Sequence, residues 1–211
     1  MTDTTEDRQE VATTAPGSPP AVHKDTNFFE DYGNQSTRRN IVGKILKFSK
    51  GDYICDDEEV PLGTKYVVLM DQLLIGWIKW WDNKPESQEM GLLVEGFVPM
   101  KREQLGDTDK AEWETDASGK PRDPWQFTNY LVLKPVGAKT EEANLLTFPA
   151  SSQGAVGTVQ ELCRTYGKAM RQRPDEWPVV EIGARVYDHK EWGRIKAPTL
   201  EVVGWEKKAA A

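Results

Sequence analysis

Histidine and cysteine are scarce in this chain, and their scarcity excludes several kinds of site. The 211 residues include only two of each, and none of the four has a cysteine or histidine neighbour at metal-ligand spacing. A zinc site is therefore not expected. The two cysteines form no CxxC pair and no closely spaced framework, so we expect no disulfide-stapled domain and an intracellular, cytoplasmic protein.

Long apolar runs are also absent. No stretch of about 18 apolar residues is found, which predicts no transmembrane helix and no membrane partner. The N-terminus, MTDTTEDRQE, is acidic and lacks the apolar segment of a secretory signal.

Catalytic motifs are missing as well. The chain contains no GxSxG, no P-loop and no GxGxxG. The acidic run from Asp107 to Asp116 fails the EF-hand pattern, because Ala111 and Glu112 occupy loop positions five and six. A nuclease core of the PD-(D/E)xK type needs a lysine two residues after Glu181, where the chain has Gly183. We therefore expect no enzyme activity, no metal and no cofactor.

Positive charge is in deficit. The net charge is −7, and residues 1–40 contribute −3 of it from seven acidic and four basic residues, which leaves −4 for the rest. Proteins that read duplex DNA are usually basic. The balance does not exclude nucleic acid, because basic side chains can gather on one face of a mildly acidic domain.

The composition changes near residue 39. Residues 1–38 are rich in Thr, Pro, Ser and acidic residues, which predicts a disordered acidic tail. Within it, FFEDYG at 28–33 is an arm that packs on the chain's own domain or a peptide that docks a partner. Residues 39–206 form one β-rich domain, and 207–211 form a short C-terminal tail.

Short runs of strand-like pattern fill this domain. The predicted strands are Ile41–Phe48, Lys65–Met70, Leu73–Trp81, Gly91–Pro99, Gln126–Leu133, Asn144–Phe148, Val179–Tyr187 and Thr199–Trp205. The segment 49–64 is a connection, DNKPE at 82–86 is a turn, and 100–125 is a long polar loop of the kind that is often functional or partly structured.

Residues 152–172 show the i, i+3, i+4, i+7 apolar stripe of an amphipathic helix. Ser151 or Ser152 suits the N-cap, and Pro174 closes the segment. Cys163 falls on the stripe and is interpreted as a buried small hydrophobe. The fold class is therefore β-dominated α+β, with an OB-like partly open barrel or curled antiparallel sheet and one packed α-helix at about 152–172.

The stretch LLIGWIKWWD holds three of the eight tryptophans. In a strand, Trp77, Lys79 and Trp81 point to one side, while Trp80 points to the other and suits the core. Two indoles around a lysine are unusual on a buried face. Either Lys79 snorkels past an edge, or this face is a platform on which bases stack beside a phosphate contact.

Basic and aromatic residues mix at two further places. KPRDPWQFTNY contains Lys120 and Arg122 beside Trp125, which we interpret as an anchor of the loop. A second mixture, YDHKEWGRIK, lies on the connection between the last two predicted strands. It contains Lys190, Trp192, Arg194 and Lys196. Both a solvated turn with one packing tryptophan and a nucleic-acid contact remain open for this connection.

Several segments resemble a family of uncharacterised bacteriophage and prophage proteins. They are GKILKFSKGDY, GWIKWWDNK, LGDTDKAEWETDASGKPRDPWQ, LLTFPASSQGA and GRIKAPTLEVVGW, and they span nearly all of residues 41–205. The layout is also similar to that of phage single-stranded-DNA-binding proteins with OB-like barrels, a likeness of fold and not of motif. Many of those proteins end in an acidic tail, whereas this chain ends in GWEKKAAA.

The leading expectation is therefore a phage protein of the host-cell cytoplasm that binds single-stranded DNA without sequence preference and acts in replication or recombination. RNA is an open alternative ligand. Trp77, Trp81 and Trp192 would stack bases, and Lys79, Lys190, Arg194 and Lys196 would meet phosphates, with Lys120 and Arg122 as further contacts. The N-terminal tail would hold a protein partner, and homo-oligomerisation is compatible with this reading. The alternative is a protein-interaction module, either an inhibitor of a host protein or a virion assembly component.

Overall fold

Ten β-strands and one α-helix form the described part of the chain. The computed structural model describes residues 40–116, 119–189 and 193–208, so the predicted tail at 1–38 lies outside them. The strands are β1 (Lys44–Ser49), β2 (Asp52–Cys55), β3 (Glu58–Val60), β4 (Lys65–Val68), β5 (Leu74–Trp81), β6 (Lys84–Leu92), β7 (Trp125–Pro135), β8 (Leu146–Ala150), β9 (Glu176–His189) and β10 (Gly193–Lys207). The helix, α1, spans Gln153–Ala169.

Two-residue turns explain why more strands form than the sequence pattern predicts. Asp56 and Asp57 join β2 to β3 with φ values of 50° and 66°, and Asp82 and Asn83 join β5 to β6 with 49° and 55°. Two consecutive residues at positive φ match the twist of an antiparallel hairpin, and Asp and Asn tolerate that region. The predicted connection at 49–64 and the predicted turn at 82–86 are therefore wrong in part, since strands occupy half of the first segment and most of the second.

The strands form one curled sheet in the order β10-β9-β4-β7-β8-β1-β2-β3, and the β5–β6 hairpin pairs with the first half of β7 through β5. The Tyr53 hydroxyl of β2 donates to the carbonyl oxygens of Gly183 in β9 and Thr199 in β10, at 3.2 and 3.3 Å. These strands lie near opposite ends of the strand order, so the contacts show that the sheet bends back on itself. The result is an open half-barrel with one packed helix. The predicted β-dominated α+β fold is confirmed.

The helix closes the main core. Ala155, Val159 and Leu162 of α1 are buried against apolar side chains of the sheet. The helix begins after Ser152, whose side chain accepts a hydrogen bond from the Ala155 amide, so the predicted N-cap is confirmed. The helix ends at Ala169, three residues before the predicted end.

A smaller apolar cluster lies apart from the main core, around Val67, Leu69, Val132 and Leu145. Beside it Lys134 is only 5% exposed. Its ammonium group lies 2.8 Å from a Glu206 carboxylate oxygen and donates to the Ala138 carbonyl at 2.8 Å. These partners allow a charged lysine to be buried on this sheet.

The predicted strand at Gly91–Pro99 is wrong beyond Leu92. A 3-10 turn follows at Leu93–Glu95, and Gly96, at φ 78°, donates its amide to the Leu93 carbonyl. The chain therefore leaves the sheet, and Val94 and Val98 are 65% and 81% exposed. Within the part of the chain that the structure describes, no helix is long and apolar enough to cross a bilayer.

Candidate nucleic-acid interface

The tryptophan strand β5 has two different faces. Trp77 lies opposite Glu89 of β6 and Phe127 of β7, and Lys79 lies opposite Ser87 and Trp125. Directly paired residues share a face, and this is also the face on which α1 packs. Trp80 lies on the other face and is half-buried. Its indole N–H is buried and has no hydrogen-bond partner in the described ranges of the chain.

Trp77 is covered in part by the loop that follows β6. Its indole N–H donates to the Met100 carbonyl at 2.9 Å. Its ring packs edge-on against Phe127, with 5.2 Å between centroids and 74° between planes. Trp77 is therefore half-buried and does not offer a free flat face.

Lys79 is already neutralised by two carboxylates. Its ammonium group lies 2.9 Å from Glu86 and 3.3 Å from Asp107, and its side chain is 22% exposed. Hydrogen bonding to Glu86, and then to Asp107, raises the pKa of Lys79. A phosphate would have to displace both carboxylates to reach it, so the structure disfavours the predicted phosphate contact at this residue.

Asp107 organises the long polar loop. Its carboxylate accepts a hydrogen bond from the Trp125 indole at 2.9 Å as well as from Lys79, and the Trp125 bond is the main reason that the pKa of Asp107 is lowered. Arg102 forms a bidentate pair with Asp123 and donates to the Asp107 carbonyl. The loop is thus tied to β5 and β7, as a structured loop of this length should be.

Trp81 is the exposed member of the predicted platform, at 50%. It lines a cavity of about 280 Å³ together with Trp113, Pro124, Lys79 and three carboxylates, those of Asp107, Asp109 and Glu112. Three carboxylates against one paired lysine repel a phosphate. The exposure expected of Trp81 is present, but its surroundings do not suit an anionic ligand.

The remaining predicted residues lie on two other elements. Lys120 and Arg122 are exposed on the long loop, where their main-chain amides bond to Asp116 and Glu114. Arg194 and Lys196 are exposed on the β9–β10 ribbon, and the Lys196 side chain lies across Gly51. Lys190 and Trp192 lie outside the described residues. The predicted set is therefore spread over β5, the loop and the ribbon.

A cleft between α1 and strands β5 and β7 emerges only from the fold. It consists of two adjoining cavities, of about 310 and 540 Å³, that share Phe127 and Gln160. The smaller one is lined by Leu73, Ile75, Leu93, Phe127, Asn129, Val159, Gln160, Cys163 and Arg164. The larger one is lined by Phe127, Ser151, Gln153, Val156, Gly157 and Gln160.

The lining of this cleft differs in charge from that around Trp81. No carboxylate lines either cavity, and Arg164, exposed at the edge of the smaller one, forms no ion pair with the described residues. Cys163 is half-buried and packs against the main core, so the burial predicted for it is only partial. This burial raises the pKa of its thiol, which favours the neutral form.

Sequence reasoning missed this cleft although one signal for it exists. In QFTNYL, Phe127, Asn129 and Leu131 share a face by strand alternation, and a polar residue between two large apolar ones is unusual on a face that meets a helix. Its significance depended on knowing that α1 packs there.

Comparison of the chain with protein-family models, with curated proteins and with solved structures finds no match.

Proposed function

We propose that this protein binds single-stranded nucleic acid, without recognising a sequence motif, in the cleft between α1 and strands β5 and β7. The observation that carries the proposal is the composition of that cleft. In a chain of net charge −7, two adjoining cavities share an aromatic residue and are lined by no carboxylate of the described residues. Arg164 lines the smaller cavity and forms no ion pair within the same part of the chain.

Phe127 would provide the stacking surface. Its ring lies between the two cavities, and Trp77 holds it edge-on from the side. Stacking of a base on an aromatic side chain contributes about 1–3 kcal/mol and tolerates any base, which suits binding without a motif. Curled OB-like sheets are a frequent scaffold for such binding, although fold alone does not establish function.

The exposed cations on the neighbouring elements would take the nucleic-acid backbone as it leaves the cleft. Arg164 is the nearest, at the edge of the smaller cavity. Lys120 and Arg122 on the loop, and Arg194 and Lys196 on the ribbon, form no ion pair within the described part of the chain and would add contacts to a longer strand. A role in phage replication or recombination is part of this proposal, because it is the role expected of the phage single-stranded-DNA-binding proteins that the layout resembles.

The test is a fluorescence titration of labelled oligo(dT) at two salt concentrations. We expect Phe127→Leu to weaken binding by about 5- to 150-fold, the equivalent of one lost stack. Arg164→Gln should reduce the salt slope of log K by about 0.7, as expected for one phosphate contact to a single strand.

Trp81→Leu is the matched control, because it removes an exposed aromatic ring from the acidic cavity and should change binding less than twofold. Absence of binding at low salt, or binding that does not respond to salt, would exclude the proposal. A larger effect for Trp81→Leu than for Phe127→Leu would mean that the binding site is the face of β5 that carries Trp81, as the sequence predicts, and not the cleft.

One observation favours the alternative of a protein-interaction module. Four apolar side chains close together in the chain after β6 are exposed, namely Leu93 at 40%, Val94 at 65%, Val98 at 81% and Met100 at 43%. Exposed apolar patches are characteristic of protein interfaces. A Val94→Lys/Val98→Lys variant should lose a partner captured from nuclease-treated host lysate while retaining oligo(dT) binding, whereas loss of both would argue for a general folding defect.

A further inference from the structure

Asn129 is one of the residues that line the smaller cavity, and it carries a buried side-chain acceptor. The residue is 3% exposed, and its amide oxygen Oδ1 forms no hydrogen bond with the described residues. Its cross-strand neighbours on either side are Ile75 and Ala150, whose side chains cannot donate. A buried acceptor without a donor is costly in the free protein, and a ligand that brings a donor would remove this cost.

The remaining lining specifies the shape of that ligand. The cavity holds about 310 Å³, at the lower end of the range for small-ligand pockets. Apolar side chains such as Ile75 and Val159 line it, the Phe127 ring lies at the side shared with the larger cavity, and Arg164 lies at the edge. A flat ring with a hydrogen-bond donor on its edge and an anionic group outside would contact all of these features.

We propose that this cavity accepts one unstacked base and that Asn129 Oδ1 accepts a hydrogen bond from the exocyclic amino group of that base. This inference depends on the proposed function and adds a preference for base type to it. Adenine and cytosine carry such an amino group at positions 6 and 4 of their Watson–Crick edge, and guanine carries one at position 2. Thymine and uracil have a carbonyl oxygen at the corresponding position, which would place two acceptors against each other.

The experiment compares labelled oligo(dC) with labelled oligo(dT), two pyrimidine homopolymers. The native protein should bind oligo(dC) about tenfold more tightly, within the range for discrimination by a side-chain contact to a base edge. Asn129→Leu should bind the two oligomers with equal affinity, because leucine provides neither the hydrogen bond to cytosine nor the repulsion of a carbonyl oxygen. Gln72→Leu is the matched control, since Gln72 lines a different cavity, and should keep the preference.

A ligand-side measurement does not depend on the folding of the variant. An oligomer of pyrimidin-2-one nucleotides lacks the 4-amino group of cytosine, and the native protein should bind it more weakly than oligo(dC). Equal affinity for oligo(dC) and oligo(dT), a preference for oligo(dT), or a preference that persists in Asn129→Leu would overturn the inference while leaving single-strand binding intact. Failure to bind any of the oligomers would overturn the proposed function as well.

Discussion

Replacing Asn129 by leucine should make the free protein more stable. Replacing a buried polar residue whose hydrogen bonds are all made would have the opposite effect. Leucine has the same branching as asparagine, and the larger volume of its methyl groups would extend into the cavity that Ile75, Val159 and Phe127 also line. The change removes an amide oxygen that is buried without a partner. Such a group costs about 1–3 kcal/mol, so we expect the free energy of unfolding to rise by roughly that amount.

The assay is urea unfolding followed by tryptophan fluorescence. A gain of about 1–3 kcal/mol should appear as a higher midpoint with an unchanged slope, because the area exposed on unfolding stays nearly the same. Thermal unfolding should shift upward by roughly 2–4 °C for each kcal/mol in a domain of this size.

Thr147→Val is the matched control for this prediction. Thr147 is 0% exposed in β8, and its hydroxyl both accepts from the Val42 amide at 2.9 Å and donates to the Val42 carbonyl at 2.8 Å. The isosteric change leaves both groups of Val42 without this partner and should lower stability by about 1–3 kcal/mol. If Asn129→Leu destabilises the protein as much as Thr147→Val does, Asn129 has a structural role, and the argument that its Oδ1 is an unsatisfied acceptor in the free protein fails.

Three further perturbations test the surrounding structure. Lys134→Met should lower the free energy of unfolding in urea by about 2–3 kcal/mol, less than for a fully buried pair, because the Glu206 side chain is 31% exposed. The double variant Lys134→Met/Glu206→Leu should recover much of this loss. No recovery would contradict the ion-pair explanation. The pKa of Asp107 is lowered in the folded protein, so its stabilising contribution is present above roughly pH 4 and is lost as the pH falls through the folded-state pKa. Asp107→Asn should therefore flatten the acid limb of a curve of unfolding free energy against pH. An unchanged acid limb would contradict this prediction. Gly76→Ala should destabilise by about 3 kcal/mol or more in the same urea assay, since a Cβ would lie 2.1 Å from the Glu89 carbonyl oxygen, and a neutral result would show that β6 can shift.

Local patterns predicted the elements more reliably than the site. The stripe at 152–172 identified α1 because helical periodicity and a serine cap are local signals. Alternation in LLIGWIKWWD correctly separated Trp80 from Trp77, since the direction of a side chain in a strand depends only on its neighbours. The extra strands β2 and β3 were missed because their turn, at Asp56 and Asp57, reads as an acidic loop until its φ values are known.

Whether a side chain of β5 or β7 is free to contact a ligand depends on segments far away in the chain. Lys79 is neutralised in part by Asp107, which lies in the loop that follows β6, and the Trp77 indole donates a hydrogen bond to the Met100 carbonyl. Neither contact has a sequence pattern, because a loop carries no periodicity that would reveal where it folds back. The same is true of Phe127 and Asn129, whose surroundings exist only once α1 packs across β7.

The sequence by itself therefore determined the periodicities of this protein: a helix with its cap, strands with two distinct faces, and a folded part that is only mildly acidic. Only the tertiary structure decided which face is open and which charges remain unpaired. The physical reason is that side-chain direction follows from adjacent residues, whereas exposure, pairing and the loss of a hydrogen-bond partner follow from what packs against them. For this chain that difference moves the candidate site from Trp77 and Lys79 to the acid-free cleft beside Phe127.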